Sequence, residues 1–176
     1  MAGYKSNESD VIWVANQYRS KNNDKSKNNE INHKEVSDIE KELQMFSRFA
    51  KENRIDREYE IAVITFYRSQ EFALHKMLKD LTNSESESRE YKLANMKIVL
   101  STVDGFQGDE ADMVLLSFTK SSNYAFYNSP NRLNVALTRA RYKLVLFGNK
   151  AWFAKNANSR ALRSLASDFD ERINIR

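Results

Sequence analysis

Apolar residues along the chain follow two kinds of spacing, and each kind predicts one type of element. Short continuous runs, such as Ile61 to Ile64, are typical of strands covered on both faces. Between Asn32 and Asn53, apolar residues recur every three or four positions, which places one stripe along a helix. The same helical spacing returns over residues 69–81, through Phe72, Met77 and Leu81. The order of runs and stripes predicts strands that alternate with helices.

The remaining apolar runs extend this alternation over the whole chain. We predict strands at Val11 to Ala15, Lys97 to Leu100, Met113 to Phe118 and Tyr142 to Phe147. Helices are predicted after Pro130 and across residues 150–165, and the hydroxyl of Ser129 is expected to cap the first of these. Residues 16–30 and 82–92 are polar and predict a surface loop and an exposed linker. Strands joined through helices imply an α/β fold, with a mainly parallel sheet of five or more strands between two helical layers.

The composition fits one domain and excludes several classes of protein. A chain of 176 residues with 41% hydrophobic content can bury one well-packed core. It contains no cysteine, which excludes a disulfide framework and a thiolate metal site. No apolar run approaches the roughly 20 residues of a spanning helix, so we expect a soluble, cytoplasmic protein with no membrane partner. The net charge of +4 fits a polyanionic partner such as nucleic acid without establishing one.

A glycine-bearing segment comes between two of the predicted strands. Residues 101–110 read Ser-Thr-Val-Asp-Gly-Phe-Gln-Gly-Asp-Glu. Gly105 and Gly108 are expected to allow positive φ and a close approach to a ligand, while Gln107 and Glu110 supply an amide and a carboxylate. The alternative is a polar turn that binds nothing.

An arginine-bearing segment precedes the last predicted strand. Residues 131–141 read Asn-Arg-Leu-Asn-Val-Ala-Leu-Thr-Arg-Ala-Arg. Arg132 and Arg139 are seven residues apart and would share one face of a helix, whereas Arg141 would point elsewhere and pair with a carboxylate. The alternative is that all three are solvated charges at a helix end.

Together these segments resemble motifs of the superfamily 1 helicases, closest to the 5′-to-3′ RNA-surveillance and DNA2-like group. The resemblance places motif IV at about residues 61–70, motif V at about 98–112 and motif VI at about 131–141. Asn32 and Glu35 also resemble the family's Asn-x-x-Glu-Ala segment. The resemblance implies that residues 1–176 form a single C-terminal three-layer RecA-like domain, the second of two motor domains.

The resemblance also implies roles for particular residues. Arg139 corresponds to the arginine finger, which neutralises charge on the γ-phosphoryl group of ATP during transfer. Glu110 would reach the nucleotide ribose or phosphates, and Gln107 and Gly108 would couple this contact to the nucleic-acid track.

Motif IV and the start of motif V are expected to hold single-stranded DNA or RNA. Thr65 and Thr102 would donate hydroxyls to phosphates, and Arg68 would add a charge. Tyr67 would offer a stacking surface, although a buried ring with one polar tip is an alternative reading of this residue.

Residues needed to hold ATP and Mg²⁺ are absent from the sequence. With only four glycines, the chain has no Gly-Lys-Ser/Thr loop, so ATP and Mg²⁺ would be held mainly by an N-terminal RecA-like domain of the parent chain. We expect the chain alone to be inactive and to contain no metal site. Asp109-Glu110-Ala111-Asp112 spells the DEAD signature, but it precedes a strand instead of following one.

Two competing functions stay open. One is a non-catalytic RecA-like module that binds nucleic acid or protein. The other is a magnesium nuclease or phosphatase that would use four carboxylates, those of Asp104, Asp109, Glu110 and Asp112.

Overall fold

The structure, a computed structural model, describes residues 4–5, 8–17, 31–53, 56–106, 108–121 and 129–172. The elements in these ranges are β1 (Val11–Ala15), α1 (His33–Glu52), β2 (Tyr59–Thr65), α2 (Arg68–Thr82), β3 (Glu90–Leu93), β4 (Met96–Thr102), β5 (Ala111–Ser117), α3 (Pro130–Leu137), β6 (Ala140–Gly148), α4 (Lys150–Asn156) and α5 (Arg160–Asp168). Much of the predicted loop at 16–30 lies outside the described residues.

One sheet of six strands runs through the described part, in the order β1-β6-β5-β2-β4-β3. All neighbouring strands pair in parallel except β3, which pairs antiparallel with β4 at one side of the sheet. The predicted α/β fold with a mainly parallel sheet is therefore confirmed. The parallel strands all end at one edge of the sheet, which we call the carboxyl edge, and all begin at the opposite edge, the amino edge.

The two faces of the sheet are buried by different helices. Ile61 and Val63 point into a core that also contains Ile39 of α1 and Leu74 of α2. Ala62 and Ile64 point into a second core, to which α3, α4 and α5 contribute Leu133, Phe153 and Leu162. Alternate residues of β2 thus serve opposite faces, which explains why this strand is apolar without interruption.

Three expectations about local structure are wrong. The predicted linker at 82–92 ends in strand β3, where Tyr91 is buried and pairs with Ile98. The helix after Ser129 begins as predicted at Pro130, but the serine side chain makes no capping hydrogen bond. Phe72, assigned to the apolar stripe of α2, is 66% exposed. The core side of that helix is formed instead by Leu74, Met77 and Leu78.

Candidate functional site

Arg139 lies at the amino edge, in the turn between α3 and β6. Its half-buried side chain donates from Nε to the carbonyl of Val135 at 3.3 Å and from Nη1 to the carbonyl of Asp109 at 3.5 Å. The backbone N–H of Ala111 donates to the Arg139 carbonyl at 3.0 Å, which joins this turn to the start of β5. The guanidinium of Arg139 therefore faces the glycine-bearing loop. Because α3 ends at Leu137, the expectation that Arg132 and Arg139 share a helix face is wrong.

Glu110 lies beside Arg139 and belongs to an exposed group of charges. Nη1 of Arg141 contacts Glu60 Oε2 at 2.7 Å, and its Nε contacts Glu110 Oε2 at 3.5 Å. The hydrogen bond to Glu60 raises the pKa of the Arg141 guanidinium. The expectation that Arg141 pairs with a carboxylate is confirmed, and Glu110 is the more weakly held of these two partners.

Asp112 has a structural role beneath this group. Its buried carboxylate accepts a hydrogen bond from Arg57 Nη2 at 2.8 Å and from the backbone N–H of Glu60 at 3.0 Å. These two bonds tie the segment before β2 and the beginning of β2 to the start of β5. Across the described ranges, no group of three potential metal-ligating side chains comes together.

The loop at residues 103–110 connects the two edges of the sheet, because β4 ends at Thr102 and β5 begins at Ala111. Gly108 has a φ of 96°, as expected, whereas Gly105 does not have a positive φ, so that expectation is wrong. A Cβ at Gly105 would lie 2.7 Å from Ser101 Oγ, so a larger residue there would force the Ser101 side chain to move. Gln107 lies outside the described residues.

Arg132 holds this loop against α3. Its Nε and Nη2 contact the two carboxylate oxygens of Asp104 at 2.8 and 3.1 Å. This paired geometry fixes the direction of the guanidinium as well as its distance. The motif V loop therefore contacts motif VI at both ends of the loop. Arg132 binds the loop near its first residues, and the turn at Arg139 binds it near its last residues.

The predicted nucleic-acid residues lie at the carboxyl edge, and they differ in exposure. Arg68 is exposed at the start of α2, and half-buried Thr102 accepts from the N–H of Gly105 at 3.3 Å. Thr65 is fully buried, and its hydroxyl lies 3.3 Å from that of Thr119. The Thr65 hydroxyl therefore points inward and does not present itself to a phosphate in this structure, which corrects the expectation.

Tyr67 is the second correction at this edge. The residue is 4% exposed, and the Nζ of Lys120 lies 4.9 Å from the centroid of its ring. The reading of Tyr67 as a buried ring is the one that the structure supports. A base could not stack on this ring without displacing what covers it.

A buried polar network behind the carboxyl edge was not recognised from the sequence. Gln70 accepts from the N–H of Asn32 at 2.8 Å and donates to its carbonyl at 3.2 Å and to Ser117 Oγ at 3.1 Å. Glu35 accepts from Ser117 Oγ at 2.5 Å, from the N–H of Thr119 at 2.9 Å and from Asn32 Nδ2 at 2.8 Å. Burial raises the pKa of the Glu35 carboxyl to about 7. The sequence signals were the Asn-x-x-Glu spacing and the glutamine of motif IV.

This network holds Thr119 in an unusual backbone conformation. Thr119 has a φ of 67°, which is unfavourable for a β-branched residue. Its N–H donates to Glu35, and its carbonyl accepts from Asn32 Nδ2 at 3.2 Å. The carboxyl edge is thus shaped by buried hydrogen bonds that join α1, α2 and β5.

A family model described as an AAA domain matches residues 2–151, which include both edges of the sheet. The chain belongs to this AAA-domain family. Among curated relatives, the ATP-dependent helicase upf1 of Schizosaccharomyces pombe is 33% identical over 72% of this chain and 13% of its own length. The regulator of nonsense transcripts 1 homolog of Arabidopsis thaliana is 35% identical over 71% of this chain and 9% of its own length. The DNA polymerase alpha-associated DNA helicase A of Saccharomyces cerevisiae is 36% identical over 68% of this chain and 16% of its own length.

A solved structure shares the fold of this AAA-domain chain. The C-terminal domain of a possible DNA helicase from Lactobacillus plantarum WCFS1 aligns with a TM-score of 0.51 and 15% identity, over 92% of this chain and 82% of that chain. The prediction of a superfamily 1 helicase C-terminal RecA-like domain is confirmed by these comparisons together. The chain spans only a small part of its curated relatives, 13% in the case of the Schizosaccharomyces pombe protein.

Helix α5 lies beyond the part that matches the AAA-domain model, yet it packs on the same sheet. The indole Nε1 of Trp13 donates to the carbonyl of Leu165 at 3.1 Å, and the Trp13 ring stacks on Phe118 with centroids 5.4 Å apart. Trp13 is therefore a core residue. In the described ranges, no helix combines the length and the apolar character needed to cross a membrane.

Proposed function

We propose that this chain is the C-terminal motor domain of an ATP-dependent superfamily 1 helicase that translocates on nucleic acid and unwinds it. The observation that supports this most is the difference between three arginines of one motif. Arg132 and Arg141 pair with carboxylates, whereas Arg139 donates to two backbone carbonyls. Carbonyl oxygens orient a guanidinium without neutralising it, so the charge of Arg139 is kept for an incoming anion.

In this proposal, Arg139 is the arginine finger. A guanidinium is planar and permanently charged, and it can neutralise negative charge on a γ-phosphoryl group during transfer. Glu110 reaches the nucleotide, and the 3.5 Å contact with Arg141 is weak enough to be exchanged on binding.

The chain supplies one side of the nucleotide site. ATP and Mg²⁺ are held mainly by an N-terminal RecA-like domain, because this sequence lacks a Gly-Lys-Ser/Thr loop. ATP supplies the phosphoryl group, and the residues of this chain orient and neutralise it. We expect the chain alone to hydrolyse no ATP.

The nucleic-acid track in this proposal runs along the carboxyl edge. Arg68 and Thr102 contact phosphates, while Thr65 and Tyr67 support the edge from inside. The loop at 103–110, with Gln107 and Gly108, couples the track to the nucleotide site because it joins both edges of the sheet. The strand is DNA or RNA, and the cytoplasm is the expected location.

The test is Arg139→Ala in the full-length protein. We expect ATP turnover to fall by about 10³-fold or more, because no other group replaces the finger. Nucleotide affinity should stay within a few fold. Steady-state ATPase rates and equilibrium binding of a labelled nucleotide measure the two quantities.

Arg48→Ala is the matched control, since Arg48 is an exposed arginine on α1, which packs on the opposite face of the sheet from α3. It should leave turnover unchanged. Normal turnover in Arg139→Ala would contradict the finger assignment. A wild-type full-length protein that binds nucleic acid but hydrolyses no ATP would instead support a non-catalytic RecA-like binding module.

A further inference from the structure

The outward face of α2 carries an aromatic residue between two cations. Arg68, Phe72 and Lys76 are all exposed and follow one another at intervals of four residues, so they lie along one face of the helix. Phe72 is 66% exposed, more than the other large exposed hydrophobic side chains of the described ranges, Met45, Tyr142 and Phe169. We call these three residues the α2 stripe.

The core of the domain does not require Phe72. Leu74, Met77 and Leu78 form the buried side of α2 and pack against the sheet. The first turn of the helix is fixed separately, by the buried hydrogen bonds of Gln70. Phe72 therefore offers an exposed aromatic surface on a well-anchored helix, and aromatic side chains are among the strongest contributors to binding interfaces.

The acidic residues close to the α2 stripe are paired with cations outside the stripe. Glu71 in the first turn of α2 is paired with Arg89, whose Nε lies 3.3 Å from the Glu71 Oε1. Beyond the other end of the helix the chain is acidic, and Glu87 there pairs with Lys79 at 2.8 Å. Arg68 therefore presents its charge beside the proposed nucleic-acid track, and Lys76 presents a second charge two turns further along α2.

Lys120 extends this basic surface toward the carboxyl edge. Its Nζ lies over the ring of Tyr67, the residue that precedes α2. Arg68 follows directly in the chain. A continuous series of cations thus leads from the end of β5 onto the outward face of α2.

We propose that the α2 stripe binds single-stranded nucleic acid, with one base stacked on Phe72 and phosphates held by Arg68 and Lys76. The two cations are separated by about 12 Å along the helix axis, which leaves room for a base between them. Aromatic stacking and phosphate pairing are the interactions that sequence-independent single-strand binders combine. The inference extends the nucleic-acid track of the proposed function, and it does not depend on ATP hydrolysis.

The test measures nucleic-acid binding by the full-length protein without nucleotide. Fluorescence anisotropy with labelled 20-mers of oligothymidine and oligouridine gives the affinities. Phe72→Ala should weaken binding by about 5- to 100-fold, because a stacked base is lost. Phe72→Trp should retain the affinity, whereas Phe72→Leu, which keeps an apolar surface without an aromatic face, should behave like the alanine variant.

Phe169→Ala is the matched control, an exposed phenylalanine at the end of α5. It should bind like the wild type. Arg68→Gln and Lys76→Gln should each reduce the slope of log affinity against log salt concentration by roughly 0.7, because each removes one phosphate contact.

Wild-type affinity in Phe72→Ala would overturn the proposal. So would a Phe72→Ala protein that melts earlier but binds normally, since the stripe would then pack against another domain. Arg139→Ala should bind both oligonucleotides like the wild type. If the finger assignment is wrong, the ATP turnover of Arg139→Ala is the measurement that shows it. If the α2 stripe does not bind nucleic acid, the oligonucleotide affinity of Phe72→Ala is the measurement that shows it.

Discussion

The two edges of the sheet use polar residues in opposite ways. At the carboxyl edge, Glu35, Gln70 and Thr65 are buried, and their side chains are committed to hydrogen bonds within the domain. At the amino edge, Arg141 and Glu110 are exposed, and their contacts are shared among several groups. Residues of the helicase motifs thus divide into those that hold the framework and those that stay exposed at the surface.

Burial explains why the two edges should respond differently to a ligand. A satisfied polar network in a low-dielectric interior is costly to break, so the carboxyl edge keeps its shape. Exposed ion pairs contribute little and exchange readily, so the charges of the amino edge can be rearranged by a phosphate or a neighbouring domain. A rigid carboxyl edge and an adaptable amino edge fit the proposed nucleic-acid track and the proposed nucleotide site.

The largest effect that would sharpen this comparison is a pH dependence caused by Glu35. Burial raises its pKa from an ordinary value of 4.5 to about 7, and the charge of Asp38 adds to this shift. The folded state thus holds the proton more tightly than the unfolded state. This contribution to stability is complete below about pH 4.5 and is lost as the pH rises to about 7, by roughly 3 kcal/mol in total.

Glu35→Gln removes this titration, so the variant serves as the reference for the wild type. Urea unfolding between pH 4.5 and 8 gives the free energy of unfolding of both proteins. The value for the wild type should fall relative to that of the variant up to about pH 7. Above about pH 7 the two profiles should run parallel. Parallel profiles throughout would mean that the pKa of Glu35 is the same in the folded and unfolded states, which would contradict this prediction.

A smaller effect separates two carboxylates of the amino edge itself. Asp112→Asn should lower the free energy of unfolding by about 2 kcal/mol, because it weakens charge-assisted bonds from Arg57 and from the Glu60 N–H. Glu110→Gln should leave stability unchanged and weaken nucleotide binding by the full-length protein several fold. Denaturant titration and nucleotide-binding measurements on both variants test this prediction. A loss of stability in Glu110→Gln together with weaker nucleotide binding in Asp112→Asn would contradict it.

Sequence reasoning was sufficient for the fold because the dominant signals were local. Uninterrupted apolar runs identified the central strands, and helical spacing identified α1 and α2. Strand β3 was missed because it has only four residues, of which Tyr91 alone is deeply buried. Phe72 was wrongly assigned to the core side of α2, because a spacing of three and four residues does not distinguish a core position from a neighbouring exposed position.

The site was harder to predict because side-chain direction depends on distant parts of the chain. Thr65 is turned inward by Thr119, and Glu35 meets Ser117 and Thr119 only after the sheet has formed. No local pattern contains these contacts. Arg139 and Glu110 lie near each other because each directly precedes one of two neighbouring parallel strands, β6 and β5.

The most direct test of the account concerns the transition state of phosphoryl transfer. In the full-length protein, affinities for ADP alone and for ADP with aluminium fluoride, which imitates the transferring phosphoryl group, should be measured for the wild type and for Arg139→Ala. We predict that the wild type binds the aluminium fluoride complex more tightly than ADP, and that Arg139→Ala loses this preference while its ADP affinity is unchanged. An equal preference in both proteins would contradict the claim that Arg139 completes the nucleotide site.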